Sequence, residues 1–315
     1  MKAAVVSSFD SAPRYAEFAA PVPVGPHDLV VDVIASGLHP RVRSQADGTH
    51  YTSTDTLPLV PGVDGVGRGA DGLLRYFILA DTTVGAMAEQ TVIDTRRSIV
   101  LPEECDPIAI AAAVNPAMSA WVALRQRIEF RAGQQVLVLG ATGNAGRMAV
   151  QVAKLFGAQQ IIAAGRNAEQ LAALPALGAT DTVLLDGDAG RLGRAAADVD
   201  VVIDYIWGQP TTTAMVAVIT DRADRAKPLT WIEIGSVAGP TASIPSAALR
   251  AARLEIVGSG QGSVSTHEIL AELPALAQEI TKGTFDIAAR PTPLSDVERA
   301  WAETARTTER IVLTP

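Results

Sequence analysis

Val136-Leu137-Val138-Leu139-Gly140-Ala141-Thr142-Gly143-Asn144-Ala145-Gly146 is the stretch that decides the fold. Four apolar residues in a row read as a buried strand, and glycines follow at the spacing G-x-x-G-x-x-G. Residues 144–156 then read as a helix, with Ala145, Ala149, Val152 and Phe156 on one face. Glycine turns let a backbone approach a pyrophosphate without a Cβ clash, and free N–H groups at a helix start face the phosphates. The stretch therefore predicts a dinucleotide site at Gly140, Thr142, Gly143, Asn144, Ala145 and Gly146; the alternative is a plain tight turn.

Downstream, the strand–helix rhythm continues. Strands are predicted at residues 161–164, 182–185, 199–204, 229–234 and 255–258, with helical stretches between them. Six strands separated by helices make a doubly wound parallel sheet of the Rossmann kind. Upstream, short strands punctuated by Gly and Pro, among them residues 29–35, indicate a β-rich domain. The tail beyond the sixth strand gives a helix and a last strand at residues 310–313, which return to that domain. The expected organisation is α/β, with residues 1–115 and 262–315 in the β-rich domain and 116–261 in the Rossmann domain.

The second Rossmann strand runs into Gly165-Arg166-Asn167. NAD-selective folds place a carboxylate here to hold the ribose hydroxyls. Arg166 suits a 2′-phosphate instead, with Gly165 and Asn167 beside it, so NADP(H) is the expected cofactor. The alternative is a solvated arginine at a helix start. Gly235 and Ser236 follow the fifth strand and Gly258 and Ser259 the sixth, at the carboxyl edge where such sheets bind ligands.

The 315 residues suit two domains. A net charge of −8 without a basic run excludes nucleic acid and an anionic membrane as natural partners. Residues 108–124 are the most apolar, interrupted by Asn115-Pro116, and read as a buried helix rather than a membrane span. Cys105 is the single cysteine, so no intrachain disulfide can form, and a cytoplasmic location without a signal peptide is expected.

Several further pieces carry a resemblance. They are Ala35-Ser36-Gly37-Leu38-His39-Pro40, Pro61-Gly62-Val63-Asp64-Gly65-Val66-Gly67, Gly85-Ala86-Met87-Ala88-Glu89-Gln90, Asn115-Pro116-Ala117-Met118-Ser119-Ala120-Trp121 and Ile234-Gly235-Ser236. In this order, and with the glycine loop, the chain resembles the zinc-independent quinone oxidoreductases of the medium-chain dehydrogenase/reductase superfamily. The resemblance implies a GroES-like catalytic domain beside the Rossmann domain, nicotinamide in the cleft between them, and a homodimer. Zinc relatives carry a Cys near His39, Gly-His-Glu at Gly62-Val63-Asp64 and a third ligand near Asn115. Here Val63 replaces the His and neither outer position is Cys, so no metal is expected.

Without a Lewis acid, a conjugated acceptor is the easier hydride target, because the charge spreads onto an enolate or quinol oxygen. The expected activity is NADPH-dependent reduction of a quinone or activated alkene, a small electrophilic acceptor. Two alternatives are an enoyl-thioester reductase and a non-catalytic NADPH-binding sensor. By resemblance, Tyr51 is the candidate proton donor, the alternatives being a packed loop aromatic or solvent as donor. His39 is a candidate polar wall of the cleft, and Ser119 a nicotinamide or ribose contact. The alternative for Ser119 is a hydroxyl bonded back along its own helix.

Overall fold

The structure, a computed structural model, describes residues 1–50, 53–80, 82–304, 307 and 309–315. Two compact units emerge: Met1–Asn115 with Leu270–Pro315, and Pro116–Ile269.

The first unit begins with a two-stranded antiparallel hairpin, β1 (Lys2–Val5) and β2 (Arg14–Glu17). Next come β3 (Asp28–Gly37), α1 (Pro40–Ala46), β4 (Asp64–Gly69), β5 (Leu74–Ile78), β6 (Gln90–Asp94) and β7 (Ser98–Val100). β3 is the hub of a larger sheet. It pairs antiparallel with β4 and with β6, and its register with β4 shifts between Val33 and Ala35. Such a bulge sharpens the local twist just before β3 delivers His39 to the start of α1.

Helix α2 (Pro107–Val122) follows, carrying Pro116 inside it rather than ending there. Its continuation, Pro107–Arg127, is long and apolar enough to cross a membrane by length and composition alone. However, 67% of its most apolar window is buried within the protein, as in a core helix.

The second unit contains β8 (Gln135–Leu139), α3 (Asn144–Leu155), β9 (Gln160–Gly165), α4 (Ala168–Leu177), β10 (Asp181–Leu184), α5 (Ala189–Ala195), β11 (Val201–Asp204), α6 (Gly208–Asp221), β12 (Leu229–Glu233), α7 (Ser246–Ala251) and β13 (Leu254–Gly258). Its six strands lie in the order β10-β9-β8-β11-β12-β13, all parallel. Strand order reverses between β8 and β11, the doubly wound arrangement with its switch point there. Leu137, Leu139, Ile162, Ala164, Val202, Met215, Val218 and Trp231 form its core. Burial on both faces explains why these strands read as continuous apolar runs.

Helix α8 (Thr266–Thr281) carries the chain back, with the boundary at Leu270 inside it rather than at the expected 262. β14 (Ala289–Pro293), α9 (Val297–Glu303) and β15 (Arg310–Thr314) then complete the first unit. β15 inserts between β14 and β3, giving a seven-stranded sheet in the order β14-β15-β3-β4-β5-β7, with β6 also on β3.

Candidate functional site

In the second unit the parallel register aligns the strand ends. Leu139 pairs with Ala164 and Asp204, and Asp204 pairs with Glu233, which pairs with Gly258. The residues that follow these ends therefore share one edge of the sheet. Gly140, Gly165, Arg166, Gly235, Gly258 and Ser259 all fall there.

Gly140 turns the chain out of β8 at φ +83°, a left-handed value that favours glycine. Gly140 and Ala141 both donate to the Ala164 carbonyl, at 3.0 and 2.9 Å. Gly146 packs so tightly that a Cβ there would collide with the Gly140 carbonyl and the Ala141 Cα. That contact presses α3 onto the turn. Gly143 is the N-cap of α3, so no side chain caps the helix, and its first turn carries no acid. The amides of Asn144, Ala145 and Gly146 are thus left for an anion. Thr142 packs on Gly165, where a Cβ would meet its Cγ2 at 2.7 Å.

Arg166 is exposed just beyond β9 and has no ion-pair partner among the described residues. Asn167 has a structural task, since its Oδ1 caps α4 by accepting from the Gln170 amide at 3.0 Å. At the far strands, Gly235 donates to the Asp204 carbonyl at 3.2 Å. The Ser236 carbonyl accepts from Gly239 at 3.1 Å. Arg127 Nε donates to the Gly258 carbonyl and the Ser259 amide to the Glu233 carbonyl, each at 2.8 Å.

Two residues that sequence reasoning passed over organise the middle of this edge. Asp204 is completely buried. Its Oδ1 accepts from the Ile206 and Trp207 amides at 2.9 and 3.1 Å. Its Oδ2 accepts from Thr211 Oγ1 at 2.6 Å and Trp231 Nε1 at 2.9 Å. This bracket holds residues 205–207, including Trp207 at φ +50°, a conformation unusual for a side-chain-bearing residue. Tyr205 is buried too, and its hydroxyl lies 2.8 Å from Ser119 Oγ. Burial pushes the Tyr205 phenol above its ordinary value, against the pull of Ser119. Ser119 also donates back to the Pro116 carbonyl at 2.8 Å, the bond along its own helix that the sequence offered as one of its two readings.

The first unit brings together His39, Asp64 and Asn115; the middle ligand position of the zinc relatives falls on Val63, beside Asp64, and offers no donor. His39 Nε2 is 3.2 Å from Asp64 Oδ1, and both residues are 2% exposed. Tyr76 donates to Asp64 Oδ2 at 2.7 Å, and the Asn115 side chain also bonds the carboxylate. The sheet explains the Tyr76 contact. Val66 is opposite Tyr76, so Asp64 is its diagonal neighbour on the same face. Burial pushes the His39 imidazole below its ordinary value, outweighing Asp64. For Asp64 burial acts upward, but His39, Tyr76 and Asn115 together hold the carboxyl below the usual range. The stable state is a neutral imidazole on an ionised carboxylate, with the His39 proton on Nε2 and Nδ1 an acceptor.

Two metal-type donors that satisfy each other do not fit a catalytic zinc, which needs three protein ligands. Among the described residues no group of three or more His, Cys, Asp or Glu is placed to hold a metal ion. Cys105 is buried, and its thiol is pushed up by burial and by Asp106 and Glu104, opposite to a nucleophile. Tyr51 lies outside the described residues.

Residues 145–279 match the family model described as zinc-binding dehydrogenase. The chain is 30% identical to a probable NADPH-dependent quinone reductase of Emericella nidulans, over 100% of both chains. It is 32% identical to a quinone oxidoreductase of Pongo abelii over 162 residues, 49% of each. A mycobacterial structure solved in complex with NADPH shares its fold, with a TM-score of 0.82 at 21% identity over 100% of each chain.

Proposed function

This chain belongs to the quinone oxidoreductase branch of the medium-chain dehydrogenase/reductases, and on that premise we propose that it reduces a quinone or conjugated alkene with NADPH and without zinc. It is an NADP(H)-dependent oxidoreductase. The observation that carries the zinc-free reading is the closed His39–Asp64–Tyr76–Asn115 cluster, in which the metal-type donors are consumed by one another.

NADPH, when bound, supplies the hydride. The uncapped start of α3 and the Gly140–Gly146 turn hold its pyrophosphate. Arg166 pairs with the 2′-phosphate that distinguishes it from NADH. A conjugated acceptor takes hydride at carbon and gathers charge on oxygen, and neutral donors stabilise that oxygen where no Lewis acid is present. His39, with its proton committed to Asp64, offers an acceptor at Nδ1 rather than an acid. The completing proton therefore comes from solvent or from Tyr51.

The test follows NADPH absorbance against 1,4-benzoquinone, 2-cyclohexenone, a crotonyl thioester and, with NADP⁺, a simple alcohol, alongside metal analysis. Turnover of quinone or enone by zinc-free protein is expected, unchanged by chelator. A preference for the crotonyl thioester would move the reading to an enoyl reductase. NADPH binding without turnover would leave the sensor. Chelator-sensitive alcohol oxidation would refute the proposal.

A further inference from the structure

Tyr205 occupies an unusual position. It follows β11 directly, and its amide donates to the Leu139 carbonyl at 3.2 Å, across the switch point of the sheet. Its backbone and Cβ are clamped on both sides by glycines. A Cβ on Gly140 would meet the Tyr205 Cβ at 3.3 Å, and one on Gly235 would meet its carbonyl oxygen at 3.0 Å. The Asp204 bracket fixes the next two amides. Little freedom is left to this residue, and its one polar atom is spent on Ser119 Oγ, 86 positions earlier in the chain.

The topology assigns the two ends of the edge different halves of a dinucleotide. Doubly wound sheets bind one mononucleotide on each side of the switch point, with the pyrophosphate between them. Arg166, after β9, lies on the first half; Gly140 lies at the switch point; Tyr205, after β11, lies on the second. The first half takes the 2′-phosphorylated adenosine, so the second takes the nicotinamide nucleoside.

We propose that Tyr205 is a positioning residue for the nicotinamide half of NADPH, acting through the Ser119 hydroxyl. The inference rests on the NADP(H) reading above. The hydrogen-bond inventory supplies the logic. Ser119 gives its proton to the Pro116 carbonyl, so the Tyr205 hydroxyl donates to Ser119 Oγ. This fixes the direction of the chain Tyr205→Ser119→Pro116. The remaining lone pairs of both oxygens then accept, which suits the N–H groups of a carboxamide or the hydroxyls of a ribose. Burial keeps the phenol protonated through any neutral assay, so the direction does not reverse with pH. Removing the Tyr205 hydroxyl leaves Ser119 Oγ without its donor and held by the Pro116 bond alone.

The experiment compares binding of NADPH with binding of 2′,5′-ADP, which lacks the nicotinamide nucleoside, by calorimetry on the full chain. For Tyr205→Phe, NADPH affinity is expected to fall about tenfold, the loss of one well-placed hydrogen bond. Affinity for 2′,5′-ADP should stay within about twofold. Ser119→Ala should show the same selective loss, and the double variant should lose little more than either single change, because the two hydroxyls act as one unit. Equal weakening of both ligands would mean that Tyr205 serves only the packing of the sheet edge, which overturns the proposal. An unchanged NADPH affinity overturns it as well. Wild-type protein that binds neither ligand would instead refute the NADP(H) reading, and this inference with it.

Discussion

Replacing Arg166 by Ala should erase the preference for NADPH over NADH while leaving the protein equally stable. Its guanidinium is exposed and has no ion-pair partner among the described residues, so its removal breaks nothing in the folded chain. A surface change of this kind moves stability by less than about 0.5 kcal/mol. A charge-assisted bond to a phosphate is worth about 1.5–3 kcal/mol, or roughly 10- to 150-fold in affinity. Exposure and salt place Arg166 near the low end, because a Debye length of about 8 Å at physiological ionic strength screens all but the contact itself. The expected result is a loss of about 10- to 30-fold in NADPH affinity, with NADH altered by less than about twofold. Fluorescence titration of both cofactors at two salt concentrations checks this. Wild-type preference should shrink as salt rises, and the variant should show no salt-dependent preference. Arg166→Lys should recover only part of the effect, because an ammonium lacks the planar fork. A variant that still discriminates between the cofactors as the wild type does would refute the assignment of Arg166.

Asp204→Asn preserves shape but turns one oxygen into a donor, so two of the four donors around this buried side chain lose their acceptor. At about 1–3 kcal/mol for each orphaned group, a destabilisation of about 3 kcal/mol is expected in urea unfolding, followed by tryptophan emission; a change below about 1 kcal/mol would contradict the bracket. Acid should also weaken the fold in two stages. The unfolded His39 gains a proton near pH 6.5, whereas the folded imidazole resists it, so the folded state binds fewer protons and stability falls as pH drops below that value. The slope contributed approaches about 1.4 kcal/mol per pH unit per proton. Asp64, also lowered, keeps its contribution above the ordinary carboxylate range and loses it as the pH falls through the folded value. His39→Gln should flatten the first stage and leave the second, and an identical profile between pH 7 and 5 would sink the assignment.

Local pattern and distant pairing differ sharply in what they reveal. The residues 136–146 announced both β8 and the turn into α3, because burial on two faces makes a strand continuously apolar and a glycine loop leaves a compositional mark. The ends of β9, β12 and β13 were equally legible, so the edge of the sheet could be placed before its side chains. Asn167 caps α4, and because a helix cap and a ligand contact demand the same residue type, its letter alone did not separate the two roles. Tyr205, Asp204 and Tyr76 carried no signal beyond their letters. Tyr76 sits in a strand buried at every position, where no alternation singles it out. Tyr205 finds its partner in a helix far away in the chain, and nothing in either neighbourhood records the other. The closing of Asp64 by His39 and Tyr76 depends on the β4–β5 register, which the sequence does not display.

The insertion of β15 between β14 and β3 has a consequence for the order of events during synthesis. Every residue of the second unit leaves the ribosome before Arg310–Thr314 does, so the second unit can be finished while the first is still missing an interior strand. Until β15 emerges, β3 must wait with one flank open, and a newborn chain carries an unsealed sheet edge that a neighbouring chain can reach.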